Sequence, residues 1–133
     1  MELTYSSAKS PAEIIKYLTD MESYVTVSPV VYKIKPLKTN EYLFFEKLRI
    51  LFLPLKFKYH TTIEHTPSTN LVIQQATVMR FTKIKLEFKV EVQAQKTVIT
   101  ETVTFKTMLP IKFLLRKIFR KQHVLLFQNI EKK

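Results

Sequence analysis

Two glutamates sit in rows of the sequence that otherwise read as apolar. In KTVITETVTFK, residues 96–106, Thr97, Ile99, Val103 and Phe105 share one register of a β-strand, and Thr100, Thr102, Thr104 and Lys106 share the other. Glu101 falls with Ile99 and Val103, on the side that should be buried. In EYLFFEKLRILF, residues 41–52, Glu46 is in register with Tyr42, Phe44, Leu48 and Ile50, while Lys47 and Arg49 take the other side. A carboxyl held among apolar side chains is suited to general acid or base work, and two such acids could meet across a cavity. Two other arrangements stay open. A β-bulge shifts the register by one and sends the acid to solvent. Alternatively, the acid pairs with an inward lysine or sits at a wet pocket mouth.

Other polar residues are candidates for fixing a ligand or for plain core packing. Tyr42, Tyr59 and Thr61 lie in apolar rows, and of the adjacent pair Gln74 and Gln75 one must face inward. The histidines are not expected to form a site: His60 and His65 are five apart on a strand and face opposite sides, and His123 falls on a helix. With no cysteine and with scattered carboxylates, no metal site is expected. Asp20 is the lone aspartate, at a helix end, and no Ser-His-Asp triad is readable.

Composition narrows the chemistry further. Glycine is absent, which excludes a P-loop, a dinucleotide fingerprint, a nucleophile elbow and a standard calcium loop. No cofactor is expected. Zero cysteines exclude disulfides and thiol catalysis. The chain has 133 residues, 46% of them apolar and 25% charged, the balance of one folded globular domain. The opening MELTYSSAKS has no basic start followed by an apolar run, and the longest apolar stretch, ILFLPLKF, is too short to span a bilayer. A cytoplasmic location is therefore expected. Twenty-two Lys and Arg against 11 acids give a net charge of +11, which suits an anionic partner or reflects a compositional bias toward lysine.

The elements that must position these residues follow from periodicity. ELTYSSAKS alternates as a first strand. In SPAEIIKYLTDM, Ser10 is an N-cap, Pro11 suits the first helical position and Glu13 completes a capping box; Ile14, Ile15 and Leu18 supply the apolar stripe. ESYVTVSP allows a second short helix before Pro29. Strands follow at VVYKIKPL, at residues 41–52 with Pro54 ending them, at KFKYHTTIEHT, LVIQQATVM and KIKLEFKVEVQA, and at the opening strand, with turns at 38–40, PSTN, RFTK and QK. LPIKFLLRKIFRKQHVLLFQNIEKK is a long helix. Its expected stripe is Leu114, Leu115, Ile118, Leu125 and Leu126, opposed by Lys112, Arg116, Lys117, Arg120 and Lys121; its second half, adding Val124, Phe127 and Ile130, reads as apolar nearly all round and so well buried. Strands joined by short loops make an antiparallel sheet, and this helix alone is long enough to cover its apolar face.

That order of elements resembles the SRPBCC superfamily, the START and birch-pollen-allergen group with its polyketide cyclase/dehydratase-like members. The residues that carry the resemblance are SPAEIIKYLTDMESYVTVSPVVYKI, with Asp20 where the family often has an aspartate, and KTVITETVTFK followed by Leu109–Pro110 and the final helix. The tryptophan often found before the proline and the hairpin glycines are missing. The resemblance covers nearly the whole chain and implies an α+β helix-grip fold over residues 1–133: a curved seven-stranded antiparallel sheet wrapped on a C-terminal helix, with one or two short helices between the first two strands. It also implies an apolar space between sheet and helix.

The function that the resemblance implies is a small binding protein enclosing a lipid-, polyketide- or quinone-like molecule by burial of apolar surface, roughly 25 cal/mol per Å² before binding costs. The expected lining is Phe44, Glu46, Tyr59, Phe88, Glu101, Val103, Leu114 and Ile118. One alternative is a cyclase- or dehydratase-type enzyme with Glu101 or Glu46 as acid or base. Another is a protein acting through its basic surface, with Lys112, Arg116, Lys117, Arg120 and Lys121 on an anionic membrane. Nucleic acid is disfavoured, because the aromatic residues fall in buried rows and are not interleaved with exposed basic ones.

Overall fold

Alternation becomes strand wherever one register is apolar. In the computed structural model, which describes residues 1–50 and 52–133, the chain runs β1 (Glu2–Ser7), α1 (Pro11–Thr19), α2 (Met21–Val27), β2 (Val31–Lys38), β3 (Glu41–Ile50), β4 (Leu53–Thr66), β5 (Leu71–Val78), β6 (Thr82–Gln93), β7 (Lys96–Thr107) and α3 (Lys112–Glu131). The seven strands form one antiparallel sheet in the order β1-β7-β6-β5-β4-β3-β2. Leu51, within the strand expected over 41–52, lies outside the described residues.

The serine cap forms as expected, the Ser10 hydroxyl accepting from the Glu13 N–H at 3.2 Å, but the Glu13 carboxylate accepts from that hydroxyl at 3.3 Å and not from the Ser10 N–H, so the box is only half made. Ile14, Leu18 and Val27 from α1 and α2 then pack into the core with Phe44, Val72, Phe88, Val90 and Ile99 of the sheet. The far end of α3 is tied to β1 by Glu131, whose carboxylate accepts from the Ser7 hydroxyl and from the Ala8 N–H at 3.0 Å. Asn129 Nδ2 donates to the Val27 carbonyl at 2.9 Å and ties the same end to α2.

Turns close without glycine. Asn40, Asn70, Met79, Arg80, Ala94 and Gln95 all take positive φ, between 50° and 65°. Asn40 and Asn70 substitute for glycine as their sequence context suggests. Ala94–Gln95 has the double positive φ of a two-residue hairpin turn, between the paired Gln93 and Lys96. The turn expected at RFTK falls instead on residues 79–81, since Val78 pairs with Thr82.

One expectation about a strand end is corrected. Pro54 does not end β3. It lies on β4, opposite Arg49. Proline is tolerated there because Leu53–Lys58 pairs with β3 only, while the β5 ladder begins at His60, so the missing N–H interrupts nothing. In β2 the register to β3 shifts between Val31 and Lys33, so Val31 and Ile34 both turn inward where strict alternation opposes them.

The face of α3 is also corrected. Its buried side is Leu115, Ile118, Phe119, Gln122, His123, Leu126, Phe127 and Ile130. Leu125 and Val124 are more than a third exposed, so the second half is not apolar all round in its packing. The five basic residues of its first half are all exposed. Among the described residues no helix is long and apolar enough to cross a membrane.

Candidate functional site: a cavity between sheet and helix

The β3–β4 hairpin runs past the end of β5, and α3 crosses the sheet below it. Between them lies a cavity of about 220 Å³. Its walls are apolar: Leu48, Leu55 and Phe57 from the hairpin, Ile84 and Leu86 from β6, and Leu115, Ile118 and Phe119 from α3. Met79, Phe81, Leu109 and Ile111 stand at the end where the β5–β6 turn meets the β7–α3 connection. The polar side chains of the lining are Tyr24, Glu46, Tyr59, Gln74, Thr82, Gln122 and His123.

Glu46 is nearly buried, in regular register opposite Phe57, and Tyr59 Oη donates to its Oε2 at 2.6 Å. Burial pushes the Glu46 carboxyl above the ordinary glutamate range, opposed by the Tyr59 hydrogen bond and by His123. Burial first, and the Glu46 carboxylate second, push the Tyr24 and Tyr59 hydroxyls above their usual range.

Glu101 is fully buried. β7 pairs regularly around it, with Leu3 on one side and Phe88 on the other, so no bulge turns it outward. Its Oε2 meets Nδ1 of His123, but not along the direction of a hydrogen bond, and both atoms lack an aligned partner within the protein. The imidazole lies between Phe88, to which it is nearly parallel at a ring-centroid distance of 6.2 Å, and Phe119, to which it is tilted at 5.1 Å. Tyr5, stacked on Phe127 at 4.3 Å, completes the surroundings; burial and the Glu101 carboxylate raise its hydroxyl above the ordinary range. Gln122 Nε2 faces the same region, buried and with no partner within the protein. Glu101 Oε1 and Gln122 Nε2, which have no partner within the protein, cost about 1–3 kcal/mol each, so this region is one where a polar partner is expected.

Of the residues singled out in the sequence, Glu46, Tyr59 and Ile118 line the cavity. Gln74 is the inward member of its pair and lines it too, while Gln75 is exposed on the outer face. Phe44 and Phe88 point inward but are taken up by packing: Phe44 against Tyr24 and Tyr59 at 5.8 and 5.7 Å, Phe88 against His123 and Phe127. Val103 is buried in the core, Leu114 is half-buried at the side of α3, and neither touches the cavity. Glu101 stands behind His123 and reaches the cavity only through it. Tyr42 and Thr61 pack away from the lining. His60 and His65 are exposed, whereas His123, which was expected to play no part, joins Glu101. Its signal was the spacing Leu115, Phe119, His123, Phe127, four apart on one face of a helix. Among the described residues no group of side chains could hold a metal ion.

A curved seven-stranded antiparallel sheet gripping a C-terminal helix, with two short helices between its first two strands, is the helix-grip fold. Solved structures bear this out over the whole chain. Ara h 8.0201 superposes with a TM-score of 0.76 at 16% identity, covering 99% of this chain and 94% of that one. A START superfamily protein from Mycobacterium smegmatis gives the same score, identity and coverage. The di-domain ARO/CYC StfQ from the steffimycin biosynthetic pathway gives 0.78 at 12% identity, over 99% of this chain and 49% of that one. What the chain shares with these structures is the fold. No family model and no curated protein sequence matches the chain.

Proposed function

We propose that the protein encloses one small amphipathic molecule between sheet and helix, its apolar body against Leu48, Leu55, Ile84 and Ile118 and its polar end at Glu46, Gln122 and His123. The observation that carries this reading is the pairing, in one cavity, of apolar walls with buried polar groups that lack partners within the protein. The fold shared with a START superfamily protein and with an ARO/CYC protein supports a lipid-like or polyketide-like class. Native mass spectrometry of the purified protein, followed by denaturing extraction, tests it directly, and titration with the fluorescent probe N-phenyl-1-naphthylamine tests it without a natural ligand. Ile118→Trp should fill the cavity and weaken probe binding at least roughly tenfold with the fold intact. Equal binding by both proteins would refute the reading.

A second reading is favoured by one observation, the contact of Glu101 with a cavity-lining imidazole. With the Glu101 carboxylate against Nδ1, Nε2 of His123 is the nitrogen left to exchange a proton with a bound carbonyl compound, as in an acid–base enzyme of the cyclase or dehydratase kind. Here His123 is the acid or base and Glu101 its positioning residue, while Glu46 is a second acid hydrogen-bonded to Tyr59. Under this reading Glu101→Gln abolishes turnover and spares probe binding. Under the simple carrier reading the same substitution leaves the bound molecule unchanged.

A further inference from the structure

The end of the molecule at which the cavity opens has an unusual surface. The β5–β6 turn and the β7–α3 connection adjoin there, because Val78 pairs with Thr82 and Thr82 with Thr107, and the β3–β4 turn, closed by Ile50 and Leu53, projects beyond them at the same end of the sheet. Each presents large apolar side chains to solvent: Phe52 and Leu53 on the first, Met79 and Phe81 on the second, Met108 on the third, with Phe113 on the first turn of α3. Phe52 is 98% exposed and Met108 is 86% exposed. A folded protein does not keep so many large apolar side chains together in water without a use for them.

The charge at this end is equally one-sided. Residues 45–58, 75–86 and 102–121, the stretches of β3–β7 and α3 toward the opening, carry thirteen of the 22 Lys and Arg. They carry one of the 11 acids, and that one is the inward-facing Glu46. The rest of the chain holds nine cations against ten acids and is close to neutral. The excess is therefore concentrated on these stretches, and the acids that border them, Glu2 and Glu87, both pair with Thr102. The outer face there sets Lys83 directly opposite Lys106 and Lys47 opposite Lys56, like charges across a ladder that oppose folding unless an anion answers them.

The geometry points to this end as a docking surface for an anionic phospholipid bilayer. Apolar tips on separate turns enter the acyl boundary while Arg80, Lys106, Lys112 and Arg116 lie at headgroup level, the division of labour of an interfacial protein. The same surface on a second copy would not serve, because two such ends bring like charge against like charge. The docking is a separate property from filling the cavity and would stand if the cavity were closed. If both hold, the cavity opens onto the bilayer.

Flotation with vesicles tests it, comparing phosphatidylcholine containing phosphatidylglycerol with pure phosphatidylcholine. The full chain should bind the anionic vesicles at least roughly tenfold more tightly, since each cation near such a surface contributes on the order of fivefold. Lys112→Glu with Arg116→Glu should weaken binding by more than that, and Phe52→Ser with Phe113→Ser should weaken it comparably without lowering the melting temperature. Lys132→Glu with Lys133→Glu, the same change of charge at the other end, should leave it nearly unchanged. Failure to bind anionic vesicles overturns the inference. So does binding that the two serines leave intact, which would be adsorption by charge alone, or equal losses from both glutamate pairs. Sedimentation that finds a dimer dissociated by the serines, with no vesicle binding, would assign the apolar tips to a second copy instead.

Discussion

Glu101 of β7 and His123 of α3 meet beneath the cavity, the one ionisable contact in the described residues that joins the sheet's interior to the helix it grips. Removing one partner of such a pair strands the other without water, at a cost of about 3–5 kcal/mol. Glu101→Leu and His123→Leu should each destabilise the protein by that order, and the double substitution should cost clearly less than the two together. Urea denaturation of the four proteins measures the coupling. Additive effects would mean that the contact contributes nothing specific.

Glu46 predicts a dependence on pH. Its carboxyl is raised, mainly by burial, so the folded state favours the protonated form. A raised group contributes stability that is fully present below the unfolded value, ordinarily near 4.3, and lost as pH rises through the folded value. Glu46→Gln keeps an oxygen to accept from Tyr59 and has no charge to bury. Its melting temperature should exceed that of the wild type at pH 7, and the difference should close as the pH falls into the ordinary glutamate range. A gap that persists at pH 4 would place its origin elsewhere.

Three buried hydroxyls set the alkaline limit. Tyr5, Tyr24 and Tyr59 are all raised, chiefly by burial, with nearby carboxylates adding to it. By the same sign rule their contribution is complete below about pH 10 and is lost above it. Stability should fall steeply beyond that point, with tyrosinate absorbance appearing together with the loss of structure. Tyr59→Phe should make the fall shallower.

The turns offer a prediction about stability alone. Ala94 and Gln95 hold positive φ with a Cβ in place, which costs roughly 1–2 kcal/mol per residue. Replacing them with Asn and Gly, the residues this hairpin turn prefers, should raise stability by about 1–2 kcal/mol. Thermal unfolding measures it, and an unchanged midpoint would mean that the turn is not strained.

The parts of the fold that could be read in advance are those with a binary choice. A strand has two faces, so β4, β6 and β7 declared their inner rows, and a single acid among apolar residues, Glu46 or Glu101, stood out against that pattern. The N-cap at Ser10 and the asparagines at positions 40 and 70 were equally plain, because each does locally what its side chain dictates. The helix α3 was not binary. Apolar side chains occur at most azimuths around it, and the face that packs inward includes Gln122 and His123, which hydropathy counts against burial. Its rotation is fixed by fit to the sheet, through Phe105 against Phe119 at 5.2 Å and Tyr5 against Phe127, and such long-range contacts leave no local mark. The partner of Glu101 was hidden for the same reason. The outward bulge in β2 and the course of β4 past Pro54 depend on which neighbours each strand has, which period alone does not carry.

The crowding of cations at one end makes the protein an electric dipole directed along its strands, beyond being merely positive. In a uniform field a dipole feels a torque, and near a charged plane it turns before it touches. At physiological salt the screening length is about 8 Å. A molecule diffusing toward an anionic surface is therefore blind to its own orientation until the last nanometre, and is then rotated with the mouth of the cavity leading. Raising the ionic strength shortens the distance over which that rotation must happen, so encounters would become less productive even where their number stayed the same.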